Sequence, residues 1–195
     1  MTEVARPEDE SNCGDSIRVM HPLFQAGEGG STPTSPLQLR LGWMNPTLAV
    51  RLNELWHSRL PRFTAPLGRF QAMGAEYGGL FYAVAIWSWP VSRMLNRERG
   101  KYYELRRLAI SPDAPKNSAS RLLKVMRLLI RKDGPPAENL ISYQDTEVHR
   151  GTIYRAAGWT PVRTSAAEGW DRPSRARVSA QSAASKVRWQ IQVAP

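Results

Sequence analysis

Ile141 to Trp159 reads ISYQDTEVHRGTIYRAAGW, and the order of elements within it decides the fold class. Leu140 to Tyr143 is a short, mostly apolar run bounded by polar residues and predicts a strand. Arg150 to Ala157 predicts a short helix, stopped by Gly158 because glycine takes up the left-handed conformation at a helix end without a Cβ penalty. Trp159 to Arg163 predicts the next strand. A carboxylate, Asp145, directly follows the first strand, and Tyr154 lies on the helix four residues before Gly158. Strand, helix and strand joined this closely belong to a mixed α/β sheet.

The chain upstream agrees. From Ser120 to Lys132 the apolar positions Leu122, Leu123, Val125, Met126, Leu129 and Ile130 fall on one side of a helix, with Arg121, Lys124, Arg127 and Arg131 on the other. Before it, YYELRRLAI predicts a strand whose alternation places Glu104, Arg106, Leu108 and Ile110 on one face, entered through a polar loop from Asn96 to Gly100. Arg69 to Pro90 predicts two strands about a turn at Glu76-Tyr77-Gly78-Gly79, the second, LFYAVAIWSW, buried on both faces. Asn45-Pro46 is an N-cap followed by proline in the first turn of a helix carrying Leu48, Leu52, Leu55 and Trp56 at helical spacing. Leu37, Leu39 and Leu41 alternate with polar or small residues as in a short half-buried strand. The expected order is β-α-β-β-β-α-β-α-β, a single domain over 36–195 preceded by an acidic tail over 1–35 that is rich in Gly, Ser and Pro and shows no period.

A chain of 195 residues with 42% hydrophobic content can bury one sizeable core. The apolar run Gly79 to Trp89 is about half the length of a membrane span, and acidic residues stand where a signal peptide would be basic. A soluble, cytoplasmic protein with no membrane association is therefore expected. Cys13 is the lone cysteine, so no internal disulfide forms, and no Cys/His cluster has metal-ligand spacing, so no metal is expected. Charge is uneven: residues 1–35 hold two Arg against six acids, whereas 36–195 hold 25 Lys/Arg against 11 acids. That body attracts polyanions at long range, although a solubilising surface would have the same composition.

The loop SPDAPKNSAS between the Tyr102–Ile110 strand and its helix presents free N–H groups at a helix N-terminus, where an anion binds well. Lys116 and Arg121 add charge there, while Asn117 or Ser118 equally serves as a helix cap. Tyr154-x-x-x-Gly158-Trp159 after a strand–helix joint resembles the last motif of GNAT acyltransferases. The resemblance implies a mainly antiparallel sheet flanked by helices. It also implies acetyl-CoA or another acyl-CoA held along Ile110, Lys116, Asn117, Ser118, Ala119, Ser120 and Arg121, and a Tyr154 that protonates the departing thiolate. A narrower similarity is to the phage-encoded branch that includes the Mom DNA-modification proteins. It rests on His57-Ser58-Arg59, Glu104-Leu-Arg-Arg-Leu108, Asn117-x-x-Ser120, Ser142-Tyr-x-Asp145, Gly151-Thr-Ile-Tyr154, Trp170-Asp-Arg-Pro-Ser-Arg175 and Lys186-x-Arg-Trp189. Proteins similar to Mom act on adenine in DNA, which implies a DNA partner. One departure from the general family stands out: its loop has Arg/Gln-x-x-Gly-x-Gly/Ala, and PDAPKNSAS has no glycine to let phosphates approach the backbone.

On this resemblance an amine attacks a thioester carbonyl, with Glu104 or Asp145 as base, backbone N–H groups near Leu108 to Ile110 holding the oxyanion, and Tyr154 as acid. Each residue has a plainer role open to it. Glu104 pairs with Arg106 or Arg107; Asp145 caps the following helix; Tyr154 fills the core; His57, a catalytic candidate through the Mom-like match, and His149 are surface or structural. Arg59, Arg172, Arg175, Arg177 and Arg188, the last four near Trp170 and Trp189, contact nucleic acid or form a basic edge whose tryptophans pack on the sheet. Three functions fit: a DNA-base acyltransferase, an acetyltransferase for a small-molecule or protein amine, and a non-catalytic nucleic-acid-binding or inhibitory module.

Overall fold

The computed structural model describes residues 19–20, 32–57, 62–63, 70–98, 100–166 and 184–194. One sheet organises them, in the order β1-β2-β3-β4-β5-β6-β8-β7. Its strands are β1 (Val19–Met20), β2 (Arg40–Met44), β3 (Phe70–Tyr77), β4 (Leu80–Ser88), β5 (Tyr102–Ile110), β6 (Asn139–Asp145), β7 (Thr160–Ser165) and β8 (Lys186–Gln192). The helices are α1 (Pro46–Trp56), α2 (Arg93–Arg97), α3 (Ser118–Asp133) and α4 (Thr152–Ala156). Pairing is antiparallel except for β1 with β2 and β5 with β6. The mixed, mainly antiparallel α/β sheet expected from the sequence is the one observed.

The helices form where their signals lie. Asn45 Oδ1 accepts from the amides of Thr47 (2.8 Å) and Leu48 (3.3 Å), so the cap and Pro46 start α1 as expected. On α3, Leu122, Leu123, Met126 and Ile130 are buried against Trp87, Tyr103, Leu105 and Leu140. Each such side chain contributes about 1.5–3 kcal/mol of burial. On the opposite face α1 packs over β3, β4 and β5, with Ala49 against Met44, Ala72, Val84, Ile86 and Ala109. The central β4 is buried on both sides by these two layers.

Four expectations need correcting. Leu37 to Leu41 is not one strand: Pro36 and a capping box between Ser35 and Gln38 wind residues 36–38 into a 3-10 turn, leaving Leu37 76% exposed and starting β2 at Arg40. Leu55 is 69% exposed, because the face of α1 that meets the sheet is centred on Ala49 and Asn53. The connection before β5 is not only a polar loop but contains α2. Finally, the alternation of β5 is broken by a bulge: Ile86 pairs with Arg107 but Trp87 with Leu105, so Arg106 is the extra residue. Before the bulge Tyr103 and Leu105 face α3; after it Leu108 and Ile110 do. Glu104 is therefore on the α1 face, opposite to Leu108 and Ile110.

The Lys186-x-Arg-Trp189 segment is not a tail. It is β8, inserted between β6 and β7, with Trp189 only 2% exposed. The strand expected from Trp159 to Arg163 is β7 at the sheet edge, which tolerates Pro161 because an edge strand can spare a backbone donor.

Candidate active site

The site is organised by where β5 and β6 part. These parallel strands pair from Tyr102 with Asn139 to Leu105 with Ser142 and no further, although β5 runs on to Ile110 and β6 to Asp145. A V-shaped gap opens beyond the Leu105–Ser142 rung. On β5, the Ser111 amide donates to the Tyr82 carbonyl on the β4 side (2.9 Å). Strand alternation then turns the amides of Leu108 and Ile110 towards the gap, as the oxyanion expectation requires.

Tyr154 reaches this rung from α4. Its hydroxyl lies 2.9 Å from Ser142 Oγ, and Ser142 Oγ donates to the Leu105 carbonyl at 3.4 Å. The ring stacks on Trp189 (5.3 Å between centroids, 11° between planes) and meets the edge of Trp159 (5.7 Å). Burial pushes the phenol above its ordinary value, the Ser142 hydrogen bond opposing, so Tyr154 is a protonated donor at neutral pH. The plainer role, that of a core residue, is the one its burial shows, since it is 7% exposed.

The Tyr154-x-x-x-Gly158-Trp159 spacing has a local cause. Gly158, at φ 83°, donates to Arg155 O, and Trp159 donates to Tyr154 O, both at 3.0 Å. This is a Schellman closure with glycine at C′, and the Tyr154–Trp159 ring contact is the apolar clasp that accompanies it. At the other end of α4, Gly151 (φ 69°) lets the backbone pass over Trp189, whose Nε1 donates to Gln144 Oε1 at 2.7 Å. Gln144 Nε2 in turn donates to the His149 carbonyl. Both ends of this short helix are thus fixed, and with them Tyr154.

Beside the gap lies a cleft of about 300 Å³ lined by Ile110, Lys116, Asn117, Ser118, Ala119 and Ser120, with Thr152, Ile153 and Ala156 across from them. Of the residues expected to hold a cofactor, Arg121 is absent: its guanidinium donates to the Leu39 carbonyl at 3.0 Å and ties α3 to β2. Neither Asn117 nor Ser118 caps α3 with its side chain. Ser118 Oγ donates instead to the Pro115 carbonyl, and the Ala119 and Ser120 amides fall in the first turn, which has no helical acceptor for them. Asn117 sits at φ 67°, and is the non-glycine residue with positive φ among those described. Its left-handed backbone turns the chain into α3, while the loop keeps no glycine at the positions where the general family has them.

The carboxylates lie on the other face. Glu104 is 7% exposed, 3.3 Å from Arg106 Nε, and accepts from the Val91 amide at 3.2 Å. Burial raises its carboxyl above the usual range, against the pull of Arg106, the Val91 N–H and Arg107. Asp145 ends β6 and accepts from the Glu147 amide at 3.0 Å; it is not the cap of α4, which begins after Gly151. His57 ends α1, within electrostatic range of Arg107 and His149; burial first, then the Arg107 guanidinium and the neighbouring His149, pull it down to about 4, so it is neutral at pH 7. Arg188, on β8, lies 5.9 Å over the Tyr102 ring and hydrogen-bonds Tyr143. Arg59, Arg172, Arg175 and Arg177 lie outside the described residues. Among the described residues no group of three His, Cys, Asp or Glu could hold a metal, and no helix is long and apolar enough to cross a membrane.

The structure adds Ser142 and Gln144 to the site. Both are polar at positions that alternate with core residues on β6, and a polar side chain facing a core is the signal that flags them.

A sheet whose parallel pair parts beside a helix N-terminus, with a tyrosine at the parting, defines the GNAT class of N-acyltransferase-like folds. The spermidine N-acetyltransferase from Vibrio cholerae, solved with CoA and spermine, is similar (TM-score 0.56, 11% identity, 80% of this chain and 96% of that one). So is an acetyltransferase from Bacillus subtilis solved with CoA (TM-score 0.54, 12% identity, 79% and 98%). At such identity the likeness is one of fold. Residues 38–192 match the model of the Mom protein family, and the chain belongs to that family. No curated protein matches it.

Proposed function

We propose that the protein transfers an acyl group from an acyl-CoA to an amine of a base, of the adenine type, in DNA. The Tyr154 hydroxyl at the Leu105–Ser142 rung carries the reading, because an acid placed where two strands part can serve a sulfur leaving through the gap. Bound acyl-CoA would supply a thioester carbonyl open to attack by an amine. Lys116 and the amides of Ala119 and Ser120 would hold its phosphates in the α3 cleft. Leu108 and Ile110 amides would receive the negative charge that develops on the carbonyl oxygen. On the α1 face Glu104, or Asp145 nearer the mouth of the gap, takes the proton from the attacking nitrogen. Tyr154 gives its proton to sulfur as the C–S bond breaks and regains one from solvent. The DNA acceptor is supported by membership of the Mom family together with the excess of Lys and Arg over acids beyond residue 35.

The test is mass spectrometry of nucleosides from cells expressing the protein, beside Tyr154→Phe, together with thermal melting in acetyl-CoA. A new modified nucleoside with wild type and its loss in the variant are expected, with a raised melting temperature in the ligand. An unaltered nucleoside profile overturns the DNA acceptor, equal activity of the variant removes Tyr154 from the chemistry, and an unmoved melting temperature argues against the cofactor.

A further inference from the structure

A cavity larger than the cleft at α3 lies away from the gap. It is a cleft of about 760 Å³ between the end of β4, α2 and the start of β5, lined by Trp89, Arg93, Arg97 and Tyr102 among others. Trp43, Trp87, Trp159 and Trp189 are each at most 5% exposed, whereas Trp89 is 36% exposed, with its edge against Tyr103. Val91 and Met94 beside it are 58% and 70% exposed. The charge is one-sided: Glu98 is taken up by Lys101, leaving Arg93 and Arg97 without an acidic partner among the described residues. Tyr102 adds to this, since Lys101 and Arg188 sit over its ring at 5.5 and 5.9 Å. An open tryptophan flanked by arginines is the combination that stacks a base and holds its phosphates. Tyr102 is three residues from Leu105, about 10 Å along an extended strand, or a nucleotide or two from the gap.

We propose that this cleft is the track for single-stranded polynucleotide flanking the acceptor base, with Trp89 stacking a neighbouring base and Arg93 and Arg97 binding its phosphates. The assignment rests on the nucleic-acid reading above. An enzyme that acts on a base must take it out of the stack, and an exposed aromatic and apolar rim at the other end of the Tyr102–Leu105 pairing from the gap holds the strand that leads to it. The Val91 amide bonded to the Glu104 carboxylate fastens that rim to the site itself.

The experiment titrates wild type, Trp89→Ala, Trp89→Phe and an Arg93→Gln/Arg97→Gln double variant with a short mixed-sequence single-stranded oligodeoxynucleotide over a range of salt. Melting curves confirm that each variant is folded. Loss of stacking in Trp89→Ala weakens binding about tenfold with the salt slope unchanged, and Trp89→Phe restores most of it while removing the tryptophan quenching seen with wild type. Loss of two phosphate contacts lowers the slope of log K against log salt by about 1.4. Wild-type binding left untouched by all three variants overturns the cleft and leaves the DNA reading standing. Failure of wild type to bind single-stranded or duplex DNA at low salt overturns both.

Discussion

Gly151 and Gly158 flank α4 with nearly the same backbone conformation, φ 69° and 83°, but in different surroundings, and replacing each by alanine separates conformational from steric cost. At Gly158 a Cβ meets nothing within 4 Å, so Gly158→Ala bears only the left-handed penalty, about 1 kcal/mol. At Gly151 the new Cβ falls 2.4 Å from Trp189 Cζ2 and 2.5 Å from Gln144 Oε1. Neither neighbour gives way cheaply: Trp189 is stacked on Tyr154 and hydrogen-bonded to Gln144, which is held by the His149 carbonyl. Overpacking of about 1–3 kcal/mol and loss of the indole hydrogen bond, about 1 kcal/mol, add to the same backbone penalty. Gly151→Ala should therefore cost about 3–5 kcal/mol. Urea unfolding followed by far-UV circular dichroism measures both, with unchanged m-values as the check that only stability has moved. Costs within about 0.5 kcal/mol of each other would refute the reasoning, since they would mean that Trp189 and Gln144 do not pin the backbone at Gly151.

Tyr154→Phe leaves the ring stack intact and removes the bond to Ser142, so stability falls by about 1 kcal/mol while any acyl-transfer rate falls far more, about 10²-fold or beyond; steady-state kinetics beside urea unfolding distinguishes the two. Because His57 binds a proton less readily folded than unfolded, the unfolded chain carries more protons between pH 6.5 and about 4, and stability falls as pH is lowered through that window. His57 is partly solvent-exposed, so the effect is discounted to about 1 kcal/mol, and His57→Gln should flatten that part of a melting-temperature profile. Asn45→Ala deprives the Thr47 and Leu48 amides of their acceptor and costs about 1 kcal/mol, read as a lower urea midpoint.

What the sequence made legible is what local chemistry determines. Asn45-Pro46 announces α1, the apolar stripe announces α3, and Tyr154 with Gly158-Trp159 is a local C-terminal closure whose partners lie within six residues. The positions of Lys116 to Ser120 around one cleft follow from the strand–loop–helix order. The companions of Glu104 are not legible in the sequence because a bulge depends on the register of β5 against β4, and a period-two pattern within one strand does not contain it. The place of β8 escaped for the same reason: pairing with both β6 and β7 is a long-range choice, and LysValArgTrp reads equally well as a basic tail. The position of Arg121 in the sequence points to the cofactor loop, whereas its guanidinium reaches across to the Leu39 carbonyl of the segment before β2.

The alternation of β5 also makes the sheet a partition. Tyr154 and the α3 cleft are on one side of it, and Glu104 is on the other, with the parting of β5 and β6 as the passage between them. For the proposed transfer, donor and acceptor would approach from opposite sides and occupy separate volumes, meeting only across the gap. On that reading neither would exclude the other, both would be bound when the acyl group moved, and no side chain would have to carry it in the interval. Double-reciprocal plots that intersect rather than run parallel are the kinetic form of that geometry, with a product of one side failing to compete against the substrate of the other.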